Sequence, residues 1–289
     1  MENMQKECMA QFTLCGSQGK RLIAQCIMGS GVLRPYRQSG RIILKGSSTV
    51  SCLTNLLCAE KMRLCGRISP RGMKGAASGS DGAHMLLYRG GTAENIDSRL
   101  DEILPTLRAE DLFITGANAI DSFGHAALLF GADGGGAYGK CMPFLQTSGV
   151  KVMILTSASK LIPGNLKKLI PRIDRERCSV SYGMSCGLLP IEGTIITEVE
   201  ALQMFAQVKA AVFASGGHTG AENSTAIQIQ GTQNEVKNVL ELVKKIKEAP
   251  EEEWMTPGSE KECAYPCSGC AKHRGCIYAH KCKGFETVL

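Results

Sequence analysis

Short apolar runs in this chain are repeatedly followed by a glycine-rich turn and then a helix-like stretch. That alternation constrains the fold more than any other feature. Arg41-Ile-Ile-Leu-Lys45 leads into Gly46-Ser-Ser-Thr49 and a helical pattern from Val50 to Glu60. His84 to Tyr88 leads into Arg89-Gly-Gly and a second helical stretch near Ala93 to Leu104. Asp111 to Thr115 and Lys151 to Leu155 are two more buried-strand candidates. Strands alternating with helices imply an α/β fold, a mainly parallel sheet covered on both faces. Ligands of such sheets sit outside the carboxyl ends of the strands. The loops after Lys45, Thr115 and Leu155 are therefore expected on one rim, facing one crevice.

From about Gly193 the pattern changes. Glu198 to Phe205 reads as a helix, and Lys209 to Ala214 and Ser224 to Ile229 as strands; Gly216-Gly-His218-Thr-Gly220 between them reads as a hairpin connection or as a turn that closes over a ligand. Thr232 to Lys247 is the clearest helix, with Val236, Val239, Leu240, Val243 and Ile246 on one face. Thr232 and Glu235 have capping-box spacing at its start. The expected organisation is a metabolite-binding sheet domain over residues 1–192, a small α+β lid over 193–248, a linker over 249–262 and a cysteine-rich segment over 263–289.

A net charge of +6 over 289 residues is mild, and with one Trp and no Lys/Arg block carrying interleaved aromatics the chain is not expected to bind nucleic acid. No stretch approaches the roughly 18 consecutive apolar residues of a membrane helix, and Met1 to Phe12 lacks the apolar run of a signal peptide. A cytoplasmic protein is expected, in which fourteen cysteines are thiols and metal ligands rather than disulfides.

Five of those cysteines, Cys263, Cys267, Cys270, Cys276 and Cys282, fall in the last segment with the spacing C-x3-C-x2-C-x5-C-x5-C. Sulfurs this dense in a weakly hydrophobic stretch usually need a metal to fold around. Four of the five could hold an iron–sulfur cluster of the 4Fe-4S kind, or could bind zinc with His273 or His280. Cys52 and Cys58 are explained by core packing, whereas Cys141, Cys178 and Cys186 show no ligand spacing.

Gly46-Ser47-Ser48-Thr49 between a strand and a helix reads either as an anion site built from backbone N–H groups or as a tight turn with an N-cap. The second loop is Thr115-Gly116-Ala117-Asn118-Ala-Ile-Asp121, continued by Phe123-Gly-His125-Ala-Ala127 and Gly134-Gly135-Gly136-Ala-Tyr-Gly-Lys140. The third is Thr156-Ser-Ala-Ser-Lys160-Leu-Ile-Pro163. Together these resemble the superfamily of ribose-5-phosphate isomerase A, glucosamine-6-phosphate deaminase and the CoA-transferases. The Ile120-Asp121-x-x-Gly124-x-x-Ala127 stretch is also similar to methylthioribose-1-phosphate isomerases.

The resemblance, over roughly Gly40 to Lys247, implies a Rossmann-like sheet with a ferredoxin-like lid. It implies anion binding by Gly46, Ser47, Ser48, Thr49, Gly116, Asn118, Gly134, Gly135 and Gly136. Asp121, Lys160 and His125 are the candidate catalytic groups: Asp121 reads as a base or as the cap of the next turn, Lys160 as a ligand for phosphate or carboxylate or as a solvated turn lysine, and His125 as an acid/base, an anion donor or a structural histidine. Glu192-Gly193 is similar to the Glu-Gly context of the CoA-transferase nucleophile. Departures are equally specific: Thr115 and Asn118 stand where the isomerase pattern has acids, and Asp133 stands where it has Lys. Moving a proton between sugar carbons needs a carboxylate base, and Asn118 is not one. The expectation is an isomerase-like or CoA-transferase-like enzyme acting on a small phosphorylated or carboxylated carbonyl metabolite. Its alternative is a non-catalytic metabolite or redox sensor on the same fold. A third possibility is a scaffold whose tail docks a redox partner, and the sequence leaves room for a homo-oligomer.

Overall fold

All four residues of the strand Ile42–Lys45 are buried, as happens where a sheet is covered on both faces. The computed structural model describes residues 6–75, 82–250 and 275–278. The chain runs β1 (Glu7–Leu14), α1 (Gly16–Ser30), α2 (Arg34–Gln38), β2 (Ile42–Lys45), α3 (Ser48–Cys58), β3 (Gly66–Ser69), β4 (Gly72–Gly75), β5 (Met85–Arg89) and β6 (Thr92–Asn95). It continues through α4 (Leu100–Ile103), β7 (Leu112–Thr115), β8 (Ala119–Ile120), β9 (Ala126–Phe130), α5 (Gly136–Thr147), β10 (Lys151–Leu155) and α6 (Leu166–Leu169). The last elements are β11 (Gly187–Ile191), β12 (Thr194–Ile196), α7 (Glu198–Phe205), β13 (Lys209–Gly216), β14 (Ser224–Thr232) and α8 (Gln233–Glu248).

The fold is α/β, built on a six-stranded mixed sheet in the order β12-β10-β7-β2-β5-β6. Its first four strands are mutually parallel, while β5 and β6 run antiparallel. Alternation along β2 feeds two cores. Ile42 and Leu44 pack with Leu22, Ile27, Val50 and Leu53 of α1 and α3. Ile43 packs on the other face with Phe113, Ile154 and the α5 residues Tyr138, Cys141 and Leu145.

One expected helix is replaced by a strand. Gly90 and Gly91 both take left-handed φ, 57° and 89°, which suits the two-residue hairpin turn between Arg89 and Thr92. The chain therefore returns along β5 as β6, and of the stretch expected as a helix from Ala93 only Leu100–Ile103 forms a turn of α-helix.

A second, three-stranded sheet has the order β1-β14-β13. Here β1 pairs with β14 from Glu7↔Thr232 to Leu14↔Thr225. The division expected between residues 192 and 193 is thus crossed in both directions, because β12 lies in the central sheet and β1 in the other. Residues 217–223 join β13 to β14 as a hairpin connection. On α8, Val236, Val239, Val243 and Ile246 are buried, but Leu240 is 38% exposed and flanks the buried stripe. Thr232 accepts the Glu235 N–H, as the cap requires. The Glu235 carboxylate turns instead to the Gln207 N–H at 3.1 Å, tying the helix start to the segment before β13.

Residues 275–278 lie against the loop before β11. Ser181 donates to Gly275 O at 2.8 Å and accepts from Ile277 N at 2.9 Å, and the Arg71 guanidinium sits 4.3 Å from the centre of the Tyr278 ring. Cys276 is buried there. Cys263, Cys267, Cys270, Cys282, His273 and His280 lie outside the described residues. Among the described residues no group of His, Cys, Asp and Glu could hold a metal, and no helix is long and apolar enough to cross a membrane.

Candidate functional site

The carboxyl ends of β2, β7, β10 and β12 open on one rim. After β2, Ser47 takes extended φ/ψ and its hydroxyl accepts the Val50 N–H, starting α3. The backbone N–H groups of Ser48 and Thr49 find no acceptor among the described residues, as is usual in the first turn of a helix. The loop after β7 comes close: a Cβ on Gly116 would lie 2.5 Å from Ser47 Oγ, so only glycine allows this approach. After β10, the Ser157 hydroxyl accepts the Ser159 N–H and the turn directs Lys160 back across the rim. Its Nζ donates to Ala117 O at 2.5 Å. Gly46–Thr49, Gly116 and Lys160, expected on one rim, do share it.

Two ionisable groups of this crevice were not expected. Glu198, in the first turn of α7, is fully buried. Its Oε2 accepts the Ala158 N–H at 2.8 Å, while Oε1 has no partner among the described residues. That oxygen lies against α1, where a Cβ on Gly19 would be only 2.4 Å from it. Next to Gly19, Lys20 brings an amine into the same space. Burial lowers the Lys20 pKa, against the opposing influence of Cys52, Cys15 and Glu198. Burial, then the Lys20 charge, pushes Lys160 down to about 8 while Glu198 pulls it up. The crevice thus holds two amines against one carboxylate, between the amino ends of α1 and α3, and its field favours an anion.

Of its two expected roles, Asp121 takes that of a cap. Its Oδ1 accepts the Phe123 and His125 N–H groups, each at 2.9 Å. Its Oδ2 accepts from Leu166 N at 2.7 Å and pairs with His125 Nδ1 at 2.8 Å. Burial alone would raise this carboxyl, but these hydrogen bonds outweigh it and hold the pKa at about 2. Asp121 therefore ties the β8–β9 turn together and orients the half-buried His125 ring. Asn118 is likewise committed: its Oδ1 accepts the Leu129 N–H at 3.0 Å.

The chain matches no known protein family, curated protein or solved structure.

Gly134, expected in the anion loop, lines a separate cavity of about 610 Å³ with Phe130, Asp133, Ile170, Ile173 and Arg175. Gly134, Gly135 and Gly136 have φ of 65°, 78° and 61°, a left-handed run that starts α5. Asp133 pairs with the buried Arg175 at 2.7 Å. Glu192 is exposed at the opposite end of β12 from Glu198. On the α5 side of the sheet, Lys45 is buried near Cys65 and Cys141, and burial lowers its pKa. Beside it, His84 is held at about 4 by burial and then by the Lys45 charge. One signal pointed toward Glu198: Gly19 interrupts a helix at a cost of about 1 kcal/mol relative to Ala, which a close neighbour would explain.

Proposed function

We propose that this crevice binds a small phosphorylated or carboxylated carbonyl compound and that Lys160 moves a proton at the carbon beside the carbonyl. The carrying observation is the convergence of Lys20 and Lys160 on buried Glu198 above the parallel strands. The amino end of α3, with the Ser48 and Thr49 N–H groups, and Lys20 hold the anion. A lysine with a pKa near 8 exchanges protons readily around neutral pH, so its free amine can take the carbon proton and return it. Glu198 positions Lys20 and moderates the repulsion between the two lysines. His125, oriented by Asp121 as a histidine general base is by its carboxylate, is the second candidate acid/base.

The parallel strands and the β1-β14-β13 sheet support a Rossmann-like domain with a ferredoxin-like lid, in the manner of the isomerase and CoA-transferase superfamily. The tail, by its thiol-rich composition, would hold a 4Fe-4S cluster or zinc. One observation favours the non-catalytic alternative: the Asn118 amide oxygen and both Asp121 carboxylate oxygens already accept from protein donors, so no carboxylate here is left for a substrate.

Melting-temperature shifts with inorganic phosphate, sugar phosphates and acyl-CoAs, followed by turnover assays, test the reading. A ligand at about 100 times its Kd should add roughly 2.7 kcal/mol of stability. Lys160→Met is expected to abolish turnover and Lys20→Met to weaken binding. Binding that survives both substitutions unchanged, or no shift with any of these anions, overturns it.

A further inference from the structure

We propose that the cavity beside the start of α5 is the seat of the basic segment Lys272-His273-Arg274 of this same chain. The cavity, of about 610 Å³, is lined by the apolar side chains of Phe130, Ile170 and Ile173 and by three carboxylates, Asp133, Asp174 and Glu176, around Arg175. Asp174 is met by Arg177, whose Nε donates to its Oδ2 at 2.6 Å. Asp133 and Glu176 both draw on a single nitrogen, Arg175 Nη1, at 2.7 and 2.9 Å. Two carboxylates leaning on one guanidinium favour a further cation, and each acid makes an interaction besides that one. The side chains of Asp133 and Glu176 are 86% and 50% exposed, within reach of a partner, whereas that of Arg175 is 6% exposed beneath them. Lysine and arginine suit such a place, since their stems cover apolar surface while the charged heads reach the acids.

The course of the chain selects this segment. Lys272 to Arg274 lie outside the described residues, but Gly275, the next one, is placed. A Cβ on Gly275 would lie 3.0 Å from Cys178 O and 3.4 Å from Ser179 O. The bridge between Ser181 and Cys276 is parallel, so the chain enters from the end of this loop at which Glu176 and Arg177 stand. It leaves from the other end, where the Tyr278 ring meets that of Tyr182 at 6.2 Å between centroids and the Arg71 guanidinium. Lys272 precedes Gly275 by three residues, and Glu176 precedes Cys178 by two. At no more than about 3.6 Å per residue, the backbone and a lysine side chain together cover that span. Lys281 and Lys283, beyond Tyr278, start from the far end and would have to double back. Cys270 and Cys276 bracket the basic segment in sequence, so seating it fastens the middle of the cysteine-rich stretch to the α/β body. The inference rests neither on anion binding in the crevice nor on the identity of the metal.

The test is zero-length carbodiimide coupling of the full chain at low concentration, with the links mapped by peptide mass spectrometry. An amide between Lys272 and Glu176, Asp133 or Asp174 of the same copy is expected. No link from Lys272 to any of these acids overturns the inference. Links found only between isotope-labelled and unlabelled copies give the seat to a second copy and overturn it as well. Trypsin cutting after Arg274 supplies a second readout, with the melting temperature followed in parallel. An exposed ion pair is worth up to about a fivefold effect, so Glu176→Lys, which sets repulsion in its place, should speed this cut on the order of fivefold or more. Adding Lys272→Glu to that variant should slow the cut again. An unchanged rate in Glu176→Lys, or no recovery in the exchanged pair, refutes the seating. If spermidine raises the melting temperature of the parent while the Arg274 cut keeps its rate, the cavity belongs to a small organic cation and the inference fails.

Discussion

Replacing Asp121 with Asn separates the two roles that a carboxylate at this position can have. The native carboxylate accepts from Phe123 N, His125 N, Leu166 N and His125 Nδ1. An amide with its oxygen toward Phe123 and His125 turns its NH2 toward the Leu166 N–H, placing donor against donor. Each buried donor left without an acceptor costs about 1–3 kcal/mol. With the His125 contact also weakened, a total loss of about 2–4 kcal/mol follows. For a chain of this size that lowers the melting temperature by roughly 5–15 °C. The pH dependence carries a second signature. Folding depresses the Asp121 pKa from 3.8 to about 2, so its contribution is fully present above the unfolded value and is lost as pH falls through the folded one. Thermal melts by circular dichroism between pH 2 and pH 7 should therefore show an acid limb near pH 2–4 that is shallower in Asp121→Asn. A variant melting within about a degree of the parent, yet devoid of turnover, would refute the structural assignment and restore Asp121 as the base.

Gly19→Ala gains about 1 kcal/mol of helix propensity but places a methyl 2.4 Å from Glu198 Oε1, at an overpacking cost of about 1–3 kcal/mol. Denaturant unfolding should show net destabilisation, whereas Gly16→Ala, whose Cβ would meet only ordinary contacts from 3.6 Å outward, should be near neutral. Phosphate affinity should fall as pH rises through about 8, where Lys160 loses its charge. Titration calorimetry across that range checks this, and the step should vanish in Lys160→Met. Anaerobic purification is expected to yield a protein containing iron and sulfide, or zinc, lost when Cys263, Cys267 and Cys270 are changed to Ser. Metal analysis of both forms decides it.

Elements specified by local pattern were legible from sequence. The stripe of Val236, Val239, Val243 and Ile246 located α8, and the Gly46–Thr49 turn located the start of α3. Gly90-Gly91 was misread because two glycines serve equally as a helix boundary and as a hairpin turn. The strand partner that decides between them is β5 itself. The crevice was legible only where its groups sit on loops after predicted strands, as Gly116 and Lys160 do. Glu198 falls in the first turn of an expected helix, where acids are common, and its close neighbour Gly19 lies on a helix distant in sequence. Asp121 could be read as a base or as a turn cap, because the pattern shows its carboxylate but not the four donors that fold back onto it.

The pairing of β1 with β14 has a consequence for biosynthesis. Glu7 and Gln230, joined across these strands, are 223 positions apart. β1 must therefore wait unpaired until the chain through β14 has been made, with Phe12 and Leu14 lacking the partners they later cover. Pairings this non-local close late and fold slowly, and a waiting edge strand is open to association with other chains. Ribosome-bound chains halted before residue 224 should therefore be held by a chaperone or protected by translation speed, and a bulky fusion ahead of Glu7 should reduce the soluble yield more than one placed after α8.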